Sequence, residues 1–146
     1  MNVKRSATFL VAFSLGSALL LSSPIAGAAT ARAHLVVSPS GSVKNHEVVK
    51  VRGLGFKPHD TVYLTECLVK ATGAAGCDIA TATPVTVSAK GTFGWTKFKI
   101  LSGKIGTGIC GTKKTNLKSC AISAGNASGG DSAVYRITFV MPPAKS

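Results

Sequence analysis

The chain is poor in acid. It carries five Asp and Glu in 146 residues, against 17 Lys and Arg. A catalytic carboxylate pair has little to draw on: Glu47, Asp60, Glu66, Asp78 and Asp131 stand far apart in sequence. There is no nucleophile elbow and no Ser-His-Asp pattern, so an enzyme is not expected. No Cys-x-x-Cys pair occurs, and His34, His46 and His59 fall near turns outside any ligand spacing, which argues against zinc or redox chemistry. No metal and no cofactor are therefore expected from the residues. After residue 33 there is no apolar run long enough to cross a bilayer, and no apolar repeat at helical spacing over eleven residues. Aromatic residues make up 6% of the chain and include a single tryptophan, Trp95, a candidate optical reporter of ligand binding.

What is present begins with an address. Lys4 and Arg5 precede an apolar stretch from Ala7 to Leu21, closed by Pro24. Ala26-Gly27-Ala28 and Ala31-Arg32-Ala33 both fit a cleavage site, so residues 1–33 read as a secretion signal cut before Ala29 or before His34. A secreted, extracellular protein is expected. The second cut leaves 113 residues, enough for one domain, with 14 basic residues against five acidic and a net charge of about +9. The domain is set at residues 34–141, with a short tail over 142–146 that begins at the first proline of the closing pair.

The text after His34 is a series of strand-forming runs punctuated by Gly, Pro and Ser. Leu35–Ser38 is stopped by Pro39 as an edge strand, and Val49 and Val51 alternate with Lys50 and Arg52. Leu54 and Phe56 read as a buried pair in turn chemistry. Thr61–Cys67, Val85–Ser88, Thr92–Ile100, Ser119–Ser123 and Ala133–Val140 supply further strands. The sum is an all-β domain, an antiparallel sandwich of about seven strands. Four cysteines allow three pairings. Cys67 with Cys77 and Cys110 with Cys120 both close local loops rich in turn residues, and nothing in the sequence favours a long-range bridge. The simplest object around Thr65–Asp78 is a two-stranded hairpin arm closed by a cystine.

These residues resemble the neocarzinostatin-type apoproteins. The resemblance runs from about Val37 to Val140. It rests on Val37-Ser38-Pro39, on Val49-Lys50-Val51-Arg52-Gly53-Leu54-Gly55-Phe56 before Pro58, and on Cys67 with Cys77-Asp78. It continues through Val85-Thr86, Lys90-Gly91, Gly106-Thr107, Ser119-Cys120 and Ile137-Thr138-Phe139. It implies a seven-stranded immunoglobulin-like sandwich with two local disulfides, and a cleft that carries and protects a non-covalent, DNA-damaging enediyne chromophore. The positions matching the family's cleft are Val69, Ala75 and Ala82 by the first cystine, and Ala121, Ser123 and Gly125 facing them. Where the family places large rings, this chain places small groups. It is also basic where that family tends to be acidic, and its Cys110–Cys120 loop adds Lys113, Lys114 and Lys118, near Lys104, as a basic patch. Two functions follow as expectations. One is a secreted, monomeric antibiotic apoprotein with a small-molecule ligand. The other is a basic immunoglobulin-like module binding DNA or anionic envelope polymers without cargo.

Overall fold

Alternation decides the architecture. In the computed structural model, which describes residues 32–141 and 143, nearly every run that alternates in sequence becomes a strand with one face buried. In chain order the strands are β1 His34–Ser38, β2 Ser42–Val43, β3 Val48–Leu54, β4 Thr61–Leu68, β5 Thr83–Thr86, β6 Phe93–Lys99, β7 Gly103–Ile105, β8 Gly108–Cys110, β9 Cys120–Gly125, β10 Ser132–Arg136 and β11 Thr138–Phe139. Short 3-10 turns cover Ala74–Gly76, Ile79–Thr81 and Lys114–Asn116, and no α-helix occurs among the described residues. The signal segment expected over 1–33 lies outside the described residues apart from Arg32 and Ala33, as do Pro142 and residues 144–146 of the tail.

Two sheets make the body. One has the order β1-β3-β6 and the other β10-β9-β4-β5, all antiparallel. Short pairs complete the fold: the β7–β8 hairpin, and a parallel pairing of β11 with β2. The four strands in these short pairs stand beyond the seven of the sandwich sheets. The core lies between the sheets. Val49, Val51 and Phe98 from one meet Val62, Leu64, Ile122 and Ala124 from the other, with Ile100 and Ile137 closing the rim; all are buried. Gly53 shows why the Arg52-Gly53-Leu54 run needs its glycine: an added Cβ there would lie 2.1 Å from the Phe93 ring and 2.6 Å from that of Phe56. Those two rings pack at 5.5 Å. Leu54, expected as Phe56's buried partner, is only half-buried, because it faces His34 across β1 on the outer side.

Both cystines form locally, Cys67–Cys77 and Cys110–Cys120. The segment closed by the first is shorter in strand than expected. The ladder runs only to a single bridge at Cys67–Cys77, and Ala74–Gly76 then turns as 3-10. Gly, Ala and Thr between the cysteines bring little side chain to hold a second strand, and Gly76 folds tightly back on Ala71. The extended hairpin is instead β7–β8, turned at Gly106-Thr107. Its tip rests on the cystine loop, where a Cβ on Gly106 would lie 2.4 Å from the Ala75 carbonyl.

The final strand expected over Ala133–Val140 divides at Ile137. The Ile137 amide donates to the Cys120 carbonyl, and the Phe139 and Val140 amides donate to Leu117 and Val43. The chain thereby leaves one sheet and clasps β2.

Candidate functional site

The register of β9 against its neighbours builds the site. Cys120, Ile122 and Ala124 point into the core, so Ala121, Ser123 and Gly125 share the outer face of the four-stranded sheet. Directly opposite on β4 are Cys67, Thr65 and Tyr63, and on β10 Arg136, Val134 and Ser132. No side chain of β9 on this face is larger than serine, whereas Val134 is 62% exposed and Tyr63 41% on the flanking strands. The result is a trough with a floor of small groups, flanked by Tyr63 on one side and by Val134 between Ser132 and Arg136 on the other. At one end it is roofed. Ala121 is 1% exposed although it faces away from the core. Thr65 is buried and its Oγ1 donates to the Asp78 carbonyl at 2.8 Å, tying the segment after the first cystine to the sheet.

The six residues expected to line a cleft are therefore brought together in part. Ala121, Ser123 and Gly125 form the floor. Val69 is half-buried just past β4, where its amide donates to the Ser119 carbonyl at 2.8 Å and extends the β4–β9 ladder. Ala82 is half-buried at the entry to β5, one residue before Thr83 pairs with Leu64. Ala75 is exposed on the cystine loop, its carbonyl turned toward the hairpin tip. Two concavities on the molecule are lined by none of these six residues. One of about 970 Å³ lies among Phe56, Lys57, Lys90, Asn126 and Asp131, and one of about 750 Å³ among Lys44, Ser102, Thr112, Val140 and Met141. Tyr63, Thr65 and Val134 complete the trough and are not singled out by sequence reading. The period-2 alternation of β4 held the signal, but the β4–β9 register needed to use it did not.

Beneath the trough, on the core side of β4, lies Glu66, 1% exposed. Its Oε2 accepts from the Leu101 amide at 2.9 Å, and its Oε1 lies 3.8 Å from the Cys110 sulfur. Burial pushes its pKa up to about 7; the Leu101 hydrogen bond pulls it down and the Asp78 charge raises it further. Glu66, Cys110 and Cys120 crowd together like a ligand set. Both sulfurs are committed to the cystine, so neither is a thiolate able to hold a metal.

Lys113, Lys114 and Lys118 are exposed on the second cystine loop around the Lys114–Asn116 turn, and Lys104 is exposed on β7. The Asn116 side chain holds that loop by accepting from the Thr112 and Lys113 amides. Trp95 lies elsewhere, on the outer face of the other sheet, so it cannot report directly on the trough.

The description "Neocarzinostatin family" matches residues 35–139, which takes in every strand but the first residue of β1. The chain belongs to the neocarzinostatin family. It is 31% identical over 110 residues to macromomycin of Streptomyces macromomyceticus, covering 72% of this chain and 75% of that one. The solved structure of macromomycin superposes with a TM-score of 0.59 at 29% identity, covering 74% of this chain and 99% of that one. Membership makes the protein an apoprotein rather than an enzyme. Among the described residues no helix is long and apolar enough to cross a membrane.

Proposed function

We propose that the protein is an exported antibiotic apoprotein that carries and shields a small, flat, largely apolar molecule, an enediyne-type chromophore being the ligand its family resemblance implies. The observation that carries this reading is the trough. Three successive outward positions of β9 hold nothing larger than serine, between exposed Tyr63 and Val134. A planar ligand laid along Ser123 and Gly125, its end against the roof over Ala121, would cover apolar area at about 25 cal/mol per Å². The small group at Ala82, at the entry to β5, leaves the site wider than one packed with rings, which favours a broader ligand held by shape over one held by stacking.

Mass spectrometry of the protein purified from its own culture medium tests the reading. A co-purifying small molecule is expected, and its retention is expected to disappear in Ser123→Trp, where an indole fills the trough. A native preparation free of any such molecule, together with no melting shift when a planar polycyclic probe such as an anthraquinone is added, would count decisively against carriage. Tyrosine emission, through Tyr63, is the optical reporter suited to the site.

A further inference from the structure

The opposite outer face of the sandwich has a different chemistry. Register places His34, Val36 and Ser38 of β1 beside Leu54, Arg52 and Lys50 of β3, and places Lys97 and Lys99 of β6 beside Lys50 and Val48. Alternation with Lys97 and Lys99 puts Trp95 on the same outer side, over Arg52, whose guanidinium lies 5.0 Å from the ring centroid; the pairing then shifts by a residue between Val51 and Gly53. Trp95 remains 49% exposed. Lys50 and Lys97 stand directly opposite each other, an arrangement that destabilises a strand pair unless something anionic offsets it.

The protein itself does not supply that anion. All five carboxylates serve as local acceptors elsewhere. Glu47 accepts from the Lys44 amide, Asp60 from Asn126 and the Thr61 amide, Glu66 from the Leu101 amide, Asp78 from Thr81, and Asp131 from the Lys57 amide. The register puts none of them on this face. Lys50 and Arg52 on one strand, and Lys97 and Lys99 on the next, form two rows with a spacing of about 7 Å along each strand. The second cystine loop has charge without this second ingredient: residues 111–119 contain no aromatic side chain.

We propose that the outer face of the β1-β3-β6 sheet is a docking surface for single-stranded nucleic acid, with phosphates on Lys50, Arg52, Lys97 and Lys99 and an unstacked base on Trp95. Charge complementarity selects a polyanion. The half-exposed indole, flanked by cations on an open sheet, selects one whose bases are free to stack, which duplex bases are not.

The test is a titration of the full mature chain with a labelled oligothymidylate of about 15 nucleotides at roughly 50 mM salt, following both anisotropy and Trp95 emission. Saturable binding with tryptophan quenching is expected. The double variant Lys50→Ala/Lys97→Ala is expected to bind at least about tenfold more weakly and to reduce the salt slope by about 1.4, or 0.7 for each lost phosphate contact. It is also expected to melt no lower than the parent, since a like-charge pair is gone. Trp95→Ala is expected to weaken binding about tenfold, with Trp95→Phe recovering part of the loss. Absence of binding at this salt overturns the proposal. So does equal binding of duplex DNA or heparin with no dependence on Trp95, and so does loss of binding in Lys113→Ala/Lys114→Ala while the Lys50/Lys97 variant binds normally.

Discussion

At the scale of single residues, burying Glu66 is a costly choice. A carboxyl whose folded pKa is about 7 binds its proton more tightly folded than unfolded. Its contribution to stability is therefore unpenalised below about pH 4, declines as pH rises toward 7, and above that is unfavourable by up to about 3 kcal/mol. Glu66→Gln keeps an acceptor for the Leu101 amide and cannot ionise. Thermal melts should show the variant close to the parent at pH 5 and several degrees more stable at pH 8. A gap that stays constant with pH would show that burial does not perturb this carboxyl. The other carboxylates are spent on turn amides and polar side chains, which leaves the basic surface unneutralised.

At the scale of elements, the hairpin and the cystine loop depend on each other. Gly106 sits at φ +51 with its missing Cβ aimed at the Ala75 carbonyl and the backbone of Gly76 and Cys77. Gly106→Ala should cost about 1–3 kcal/mol and speed hydrogen exchange over residues 103–110 before it affects the sandwich. Replacing Cys67 and Cys77 by Ser should cost about 3 kcal/mol on the loop-entropy account, seen as a lower denaturation midpoint. These elements were also the least legible ones in the sequence. Long alternating runs such as Val49–Arg52 and Phe93–Lys99 announce themselves, because each residue repeats the same in-or-out decision. The hairpin's three-residue strands are too short to repeat anything, and Gly103, Gly106 and Gly108 read as loop. The break at Ile137 is invisible for another reason: burial alternates straight through Ala133, Tyr135, Ile137 and Phe139 while the hydrogen-bonding partner changes. For the site, the floor of β9 came through resemblance, whereas Tyr63 and Val134 needed strand register, which no local pattern encodes. Trp95 alternates with Lys97 and Lys99 in the sequence, but only the β3–β6 register shows that it lies over Arg52.

At the scale of the whole molecule, closure depends on the last residues of the domain. Thr138 and Phe139 pair in parallel with Ser42 and Val43, and the Phe139 ring covers Gly111, where a Cβ would approach it to 2.7 Å. A chain ended at Arg136 leaves the carbonyls of Val43, Leu117 and Cys120 without these donors. It should lose its cooperative thermal transition and bind a hydrophobic dye, and a sharp melt near that of the parent would show that β11 is dispensable. The same clasp orders events in time. A chain emerging residue by residue with its amino end leading can pair β1 with β3 early, but the seam beside β2 stays open until the opposite extremity arrives. Until β11 arrives, Val43 and Gly111 remain wettable, and the open seam is where proteases find the chain most vulnerable.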